Sequence, residues 1–173
     1  MSIFGSIFES IFGKNRKLRP TEENLAFSVF KKSIPYGSIR IGSKLGLGGA
    51  AWTEYFNGVY TLHMGDSAYS DCTSRKWVTG VGTIVNTFVH ELTHVWQGAH
   101  SRLHGLYEVE SALSQAKAIL RTGNRNGAYQ YAVGTPWDDL NVEQQAMVVE
   151  DWYASGMSPT SSLYPYIRDH IRV

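Results

Sequence analysis

The chain of 173 residues holds one cysteine and five prolines. A lone Cys72 excludes a disulfide framework and a thiolate-rich zinc knuckle. Nothing beside it resembles a cysteine-protease signature, so it reads as a structural thiol. Charge is scarce as well, with 18% charged residues and a net charge of +1. That balance lacks the basic footprint of a nucleic-acid partner and gives no handle for a strongly charged substrate. No run approaches the roughly 18 apolar residues of a membrane-spanning helix. The opening does not read as a secretory leader either. The opening MSIFGSIFESIFGK has no positive n-region, Glu9 interrupts it, and no small-residue cleavage site follows. The expectation is a protein made in the cytoplasm that leaves it, if at all, by a route other than general secretion.

What is present is apolar and aromatic. The apolar fraction is 43%, with ten Tyr, seven Phe and five Trp. A chain of this length and composition folds around one real core. The first dozen residues repeat S-I-F-G, S-I-F-E, S-I-F-G, which puts Ile3, Phe4, Ile7, Phe8, Ile11 and Phe12 on one helical stripe. A basic run follows: Lys14, Arg16, Lys17 and Arg19. Gly5 and Gly13 weaken such a helix, so it needs a surface to hold it. That surface is its own domain, a partner's groove or a membrane. Residues 1–19 therefore read as an N-terminal segment, and 20–173 as the domain.

Within the domain, Pro20-Thr21 opens a helix over 22–33, with Thr21 as cap. Residues 38–42 read as a strand. The stretch KLGLGGAA lacks the spacing of a phosphate loop. Asn57-Gly58 between aromatic and β-branched runs predicts a hairpin, with strands at 51–56 and 59–64. Residues 65–78 read as loop. Helices are expected from about Val81 to a stop at Gly98, then at 107–121, 139–155 and from Ser161 or Ser162 to Ile171.

The chemistry sits in HELTHVWQGAH, residues 90–100. On a helix, the H-E-x-x-H spacing puts His90 and His94 on one face, one turn apart, with Glu91 beside them. Two imidazoles then ligate one metal, and the carboxylate serves as general base toward a metal-activated water. A catalytic zinc site usually needs a third protein ligand. His100 has the ten-residue spacing of the three-histidine motif, but Gln97 stands where that motif has its helix-breaking glycine. His104, Glu108 and Glu110 are further candidates. NVEQQAMVVEDWY offers Glu143, Glu150 and Asp151. Ala146, three residues after Glu143, would let two helices approach closely enough for its carboxylate to reach the metal. Glu150 or Asp151 could instead accept a histidine N–H.

HELTHVWQG, followed some fifty residues on by NVEQQAMVVEDWY, resembles zincin-type metallopeptidase domains fused to type VI secretion spike proteins. It also resembles the H-E-L-x-H-V-x-Q domains associated with extracellular contractile injection systems. The resemblance runs from about Val29 to Tyr153. It implies an α+β zincin-like fold, one Zn2+ held by His90, His94 and Glu143, and Glu91 as general base. It implies a peptide or protein substrate paired along the strand before the active helix, here Val59–Met64. It also implies an oxyanion donor, for which Tyr153, Tyr107, His100 and His104 are candidates. His63 reads as an ordinary surface histidine.

The expected function is a zinc-dependent endopeptidase, a bacterial effector delivered by a contractile secretion system to a target cell's periplasm or cytoplasm. Ile3–Phe12 would then be the handle for a spike, chaperone or immunity partner. Two alternatives stand beside this reading. One is a catalytically silent zinc-bound adaptor, and the other is a zinc hydrolase acting on cell-wall peptide or amide.

Overall fold

The computed structural model describes residues 13–46, 49–79, 82–101 and 125–173. The expected helix at 107–121 and the segment Ile3–Phe12 lie outside the described residues. What is described is α+β: a four-stranded sheet, a two-stranded ribbon and several helices. The strands of the sheet are β1 (Asn15–Lys17), β2 (Ile39–Gly42), β3 (Trp52–Phe56) and β4 (Val59–His63), in the order β1-β2-β4-β3. β5 (Trp77–Val78) and β6 (Gly82–Thr83) form the ribbon. Asn15–Lys17, placed in the N-terminal segment on sequence grounds, pairs antiparallel with β2.

The hairpin forms where Asn57-Gly58 predicts it. Both residues have positive φ, 49° and 82°, as a type I′ turn requires. Its position in the sheet differs from expectation. β4 pairs in parallel with β2 and antiparallel with β3, so β4 is interior and β3 is the edge beside it. The strand expected to offer a free edge, Val59–Met64, has both sides occupied, and among the described residues Trp52–Phe56 lies at the edge instead. Just after β4, the Gly65 N–H donates to the Lys44 carbonyl, which follows β2.

Period-two alternation sets the faces of the sheet. Ile39, Ile41, Tyr60, Leu62 and Thr53 point into the protein, while Glu54 and Phe56 point out. His63 lies on the outer face but is not a surface residue. It is 8% exposed, stacked on Trp52 at 4.4 Å, with Nε2 3.1 Å from Glu54 Oε2.

Helix α1 (Pro20–Phe30) starts at Arg19 rather than Thr21, with Pro20 in its first turn. The region read as loop contains a short helix, α2 (Asp66–Tyr69), besides β5. The long helix α3 (Ile84–His100) does not stop at Gly98. It runs two residues further, to His100, with Ser101 as its C-cap. Its apolar residues Ile84, Val85, Phe88, Val89, Leu92, Val95 and Trp96 share one broad face, and the opposite face with His90, Glu91, His94 and Gln97 is buried as well, with the sheet and helix α4 (Val142–Ala154) packed against the helix. α4 begins with a capping box. The Gln144 N–H donates to Asn141 Oδ1 at 2.9 Å, and the Asn141 N–H donates to Gln144 Oε1 at 3.0 Å. Helix α5 (Tyr164–Tyr166) and a π-helical turn at Ile167–Ile171 close the chain, with Ile167 and Ile171 fully buried.

Candidate metal centre

α3 and α4 run antiparallel. Gln97, near the end of α3, meets Val142 at the start of α4, and His90 meets Glu150 two turns further along α4. Ala146, fully buried, lies on α4 between Glu143 and Glu150. A larger side chain there would hold the two helices apart.

This packing brings Glu143 to the histidines. Glu143 Oε2 lies 3.2 Å from His90 Nε2 and 3.6 Å from His94 Nε2. The carboxylate is 2% exposed and sits in the first turn of α4, where the helix dipole favours a negative charge. Ligand atoms of His90, Glu91 and His94 also lie within 4.8 Å of one another. So four groups converge, and geometry separates their roles. The Glu91 carboxylate turns toward the sheet, where Thr53 Oγ1 donates to its Oε2 at 2.7 Å. The Glu143 oxygen instead points at both Nε2 atoms.

The other nitrogen of each ring also has an acceptor. His90 Nδ1 is 3.0 Å from Glu150 Oε2, and His94 Nδ1 is 2.8 Å from Gln97 Oε1. Gln97 in turn donates to the Val142 carbonyl at 2.8 Å and to Gln145 Oε1 at 3.0 Å.

Three carboxylates thus surround two imidazoles in a mostly buried space. Burial alone would lower the His90 pKa, but hydrogen bonds to Glu143 and Glu150 overturn it and raise the group to about 10. Burial likewise opposes charge on His94, and Glu143 outweighs it, so that pKa is raised too. Burial would raise the Glu143 carboxyl, while charged His94 and the bonds from both rings drive it far down. The carboxylates around the two rings therefore favour positive charge at this site.

A divalent metal suits the same demand. Ligand bonds of about 2.0–2.1 Å in a tetrahedron put ligand atoms roughly 3.3 Å apart. The two approaches of Glu143 Oε2, 3.2 and 3.6 Å, match that edge length. His90, Glu91 and His94 form a buried group that could hold a metal ion, and Glu143 lies close enough to both rings to join it.

The remaining candidates fall elsewhere. His100 sits in the last turn of α3, its Nδ1 2.8 Å from the Trp96 carbonyl and its ring stacked on Trp96. Because the helix runs on unbroken, His100 is never swung back toward His90. Asp151 accepts from the Tyr131 hydroxyl at 2.8 Å. Tyr153 lies ten residues after Glu143 on α4, packed on the core, with Arg75 as its charged neighbour. Among the described residues no hydrogen bond or ring contact joins Tyr153 to the cluster. The tyrosine that packs on His90 is Tyr129, ring centroids 6.0 Å apart. His104, Tyr107, Glu108 and Glu110 lie outside the described residues.

Sequence reasoning missed Thr53, Gln97 and Tyr129. Gln97 had a signal, since it stands three residues after His94, within reach along a helix. Thr53 and Tyr129 had none, because long-range packing alone brings them to the site.

No family model matches the chain. Over 144 residues it is 28% identical to the type VI secretion system spike protein VgrG2b of Pseudomonas aeruginosa, a match covering 80% of this chain and 13% of that protein. The chain thus spans only a small part of the relative it matches. The solved effector domain of Pseudomonas aeruginosa VgrG2b aligns with a TM-score of 0.64 and 23% identity, covering 98% of this chain and 93% of that domain. At that identity the likeness establishes a shared fold: this chain is folded like the effector domain of VgrG2b.

Proposed function

We propose that the protein is a zinc-dependent endopeptidase of zincin type, acting as an effector of a type VI or related contractile secretion system. The observation that carries the enzymatic reading is the approach of Glu143 Oε2 to both Nε2 atoms while Thr53 bonds the Glu91 carboxylate beside them. A purely structural site has no use for a buried, oriented carboxylate beside three ligands. The effector reading rests on the similarity to VgrG2b and the fold shared with its effector domain.

Zinc bound by His90, His94 and Glu143 would supply Lewis acidity toward the scissile carbonyl and toward the attacking water. The chain's own groups do the rest. Glu150 and Gln97 hold the two rings so that Nε2 faces Glu143. Glu91, fixed by Thr53, takes the proton of the water and delivers it to the leaving amine. An extended peptide substrate adds to the edge of β3, where backbone pairing gives affinity with little sequence demand. Tyr129, against His90, replaces Tyr153 as the candidate donor to the oxyanion.

The test is zinc content per chain, by plasma mass spectrometry, for wild type, Glu143→Ala and His100→Ala, followed by peptidase assay. Wild type should hold one zinc, His100→Ala should keep it and Glu143→Ala should lose it. Loss in His100→Ala refutes the ligand set. A wild type offered zinc that holds none refutes the enzyme.

A further inference from the structure

The hydrogen bonds of Gln97 fix more than its own position. A side-chain amide has one acceptor end and one donor end. The backbone carbonyl of Val142 can only accept, so the end of Gln97 that lies 2.8 Å from it must be the NH2 group. The other end, Oε1, then faces His94 Nδ1 at 2.8 Å. An amide oxygen can only accept, so Nδ1 must carry a proton. The unprotonated nitrogen of neutral His94 is therefore Nε2, the atom 3.6 Å from Glu143 Oε2.

We infer that Gln97 is a positioning residue that sets the tautomer of His94 and ties it to the segment presenting Glu143. This rests on the proposed metal site. Val142, whose carbonyl orients the amide, is the residue before Glu143. One side chain thus fixes the second histidine and anchors the start of the helix that brings the third ligand. The remaining Gln97 bond, to Gln145 Oε1, extends the hold. Gln145 Nε2 donates to the Trp137 carbonyl at 3.1 Å, bracing the turn before α4.

The choice of an amide follows from the surroundings. His90 has a carboxylate, Glu150, as its outer acceptor. A second carboxylate at position 97 would set an oxygen against the Val142 carbonyl and add a fourth acid to the cluster. A neutral group with one donor end and one acceptor end satisfies both neighbours.

Gln97→Leu keeps the bulk and removes both ends. Zinc affinity would be read by chelator competition and the ring protons of His94 by long-range proton–nitrogen NMR, on the full chain. In zinc-loaded wild type, His94 should bear its proton on Nδ1. In Gln97→Leu the zinc dissociation constant should rise roughly 10–100-fold, with the metal-free melting temperature changed much less. Affinity within about twofold of wild type, in a folded variant, overturns the inference and leaves the metal site standing. If Gln97→Leu does not fold, the wild-type spectrum decides alone: a proton on Nε2 and metal on Nδ1 overturns it. A wild type that takes up no zinc removes both this inference and the function it rests on.

Discussion

Glu22 is a fully buried carboxylate whose removal has a calculable consequence. Its two oxygens take four donors. Arg16 Nη1 and Nη2 each approach to 2.7 Å, the Arg19 N–H to 2.8 Å and the Cys72 N–H to 3.0 Å. The group ties β1, α1 and the segment after α2 together. Glu22→Gln preserves shape, but its NH2 end must face an Arg16 N–H and one backbone N–H, two donors against a donor. Breaking a buried pair by changing one partner costs about 3–5 kcal/mol, a large share of the roughly 5–15 kcal/mol of a typical domain. The pH dependence has a definite sign. Burial pushes the Glu22 carboxyl up, and the bonds from Arg16, Arg19 and Cys72 overturn this and leave its pKa lowered from 4.5. Its contribution is therefore full above about pH 4.5 and is lost as pH falls through the lowered folded value. Urea unfolding followed by tryptophan fluorescence should show Glu22→Gln weaker at pH 7 by that margin, with the gap narrowing toward pH 3. A loss under about 1 kcal/mol at pH 7, or a gap that ignores pH, would refute the reasoning.

Two further outcomes test the parts of the site. Thr53→Val removes the donor that holds Glu91 and leaves the three ligands in place. Peptidase kcat should drop about 10–100-fold at unchanged zinc content, and Thr53→Ser should restore it. Equal kcat in Thr53→Val and wild type would show that Glu91 orients itself. Glu150→Ala strips His90 of its outer acceptor, and the zinc dissociation constant should rise roughly 10–100-fold. An unchanged constant by chelator competition would place Glu150 outside the site's support.

The local features of this protein were legible in its sequence, and their reasons are local. Asn57-Gly58 makes its turn because glycine and asparagine tolerate positive φ. The helix carrying His90 and His94 follows from apolar residues in every turn. The approach of Glu143 was readable through Ala146, since a small residue is what close helix packing needs. Legibility failed where the outcome depended on distant partners. Gly98 looked like a stop, but its cost is small beside the burial of α3 between the sheet and α4. His63, on the hairpin, reads as an ordinary surface histidine. Trp52, its cross-strand partner, covers it. Glu22 stands in the first turn of α1, where the helix dipole suits an acid, and helix periodicity does not announce its pairing with Arg16.

The same limit explains the sheet edge, where topology bears on the proposed chemistry. A hairpin's sequence does not say which of its strands will lie outside. Here β2 pairs in parallel with β4, so the second strand of the hairpin is inside the sheet and the first remains at the edge. Thr53 is on that first strand, opposite Leu62, and faces α3. β3 therefore has two sides with two uses under the peptidase reading. One side presents backbone to an extended substrate, and one side chain holds the base. A peptide adding along β3 would order the strand that fixes Glu91. Binding free energy spent on ordering the base acts on kcat, whereas binding that leaves the base unchanged acts on KM alone. Had β4 been the edge, as the resemblance implied, substrate would meet Val59, Thr61 and their neighbours with no direct link to Glu91. Under the peptidase reading, placing β3 outside would couple substrate recognition to Glu91 through a single 2.7 Å hydrogen bond from Thr53.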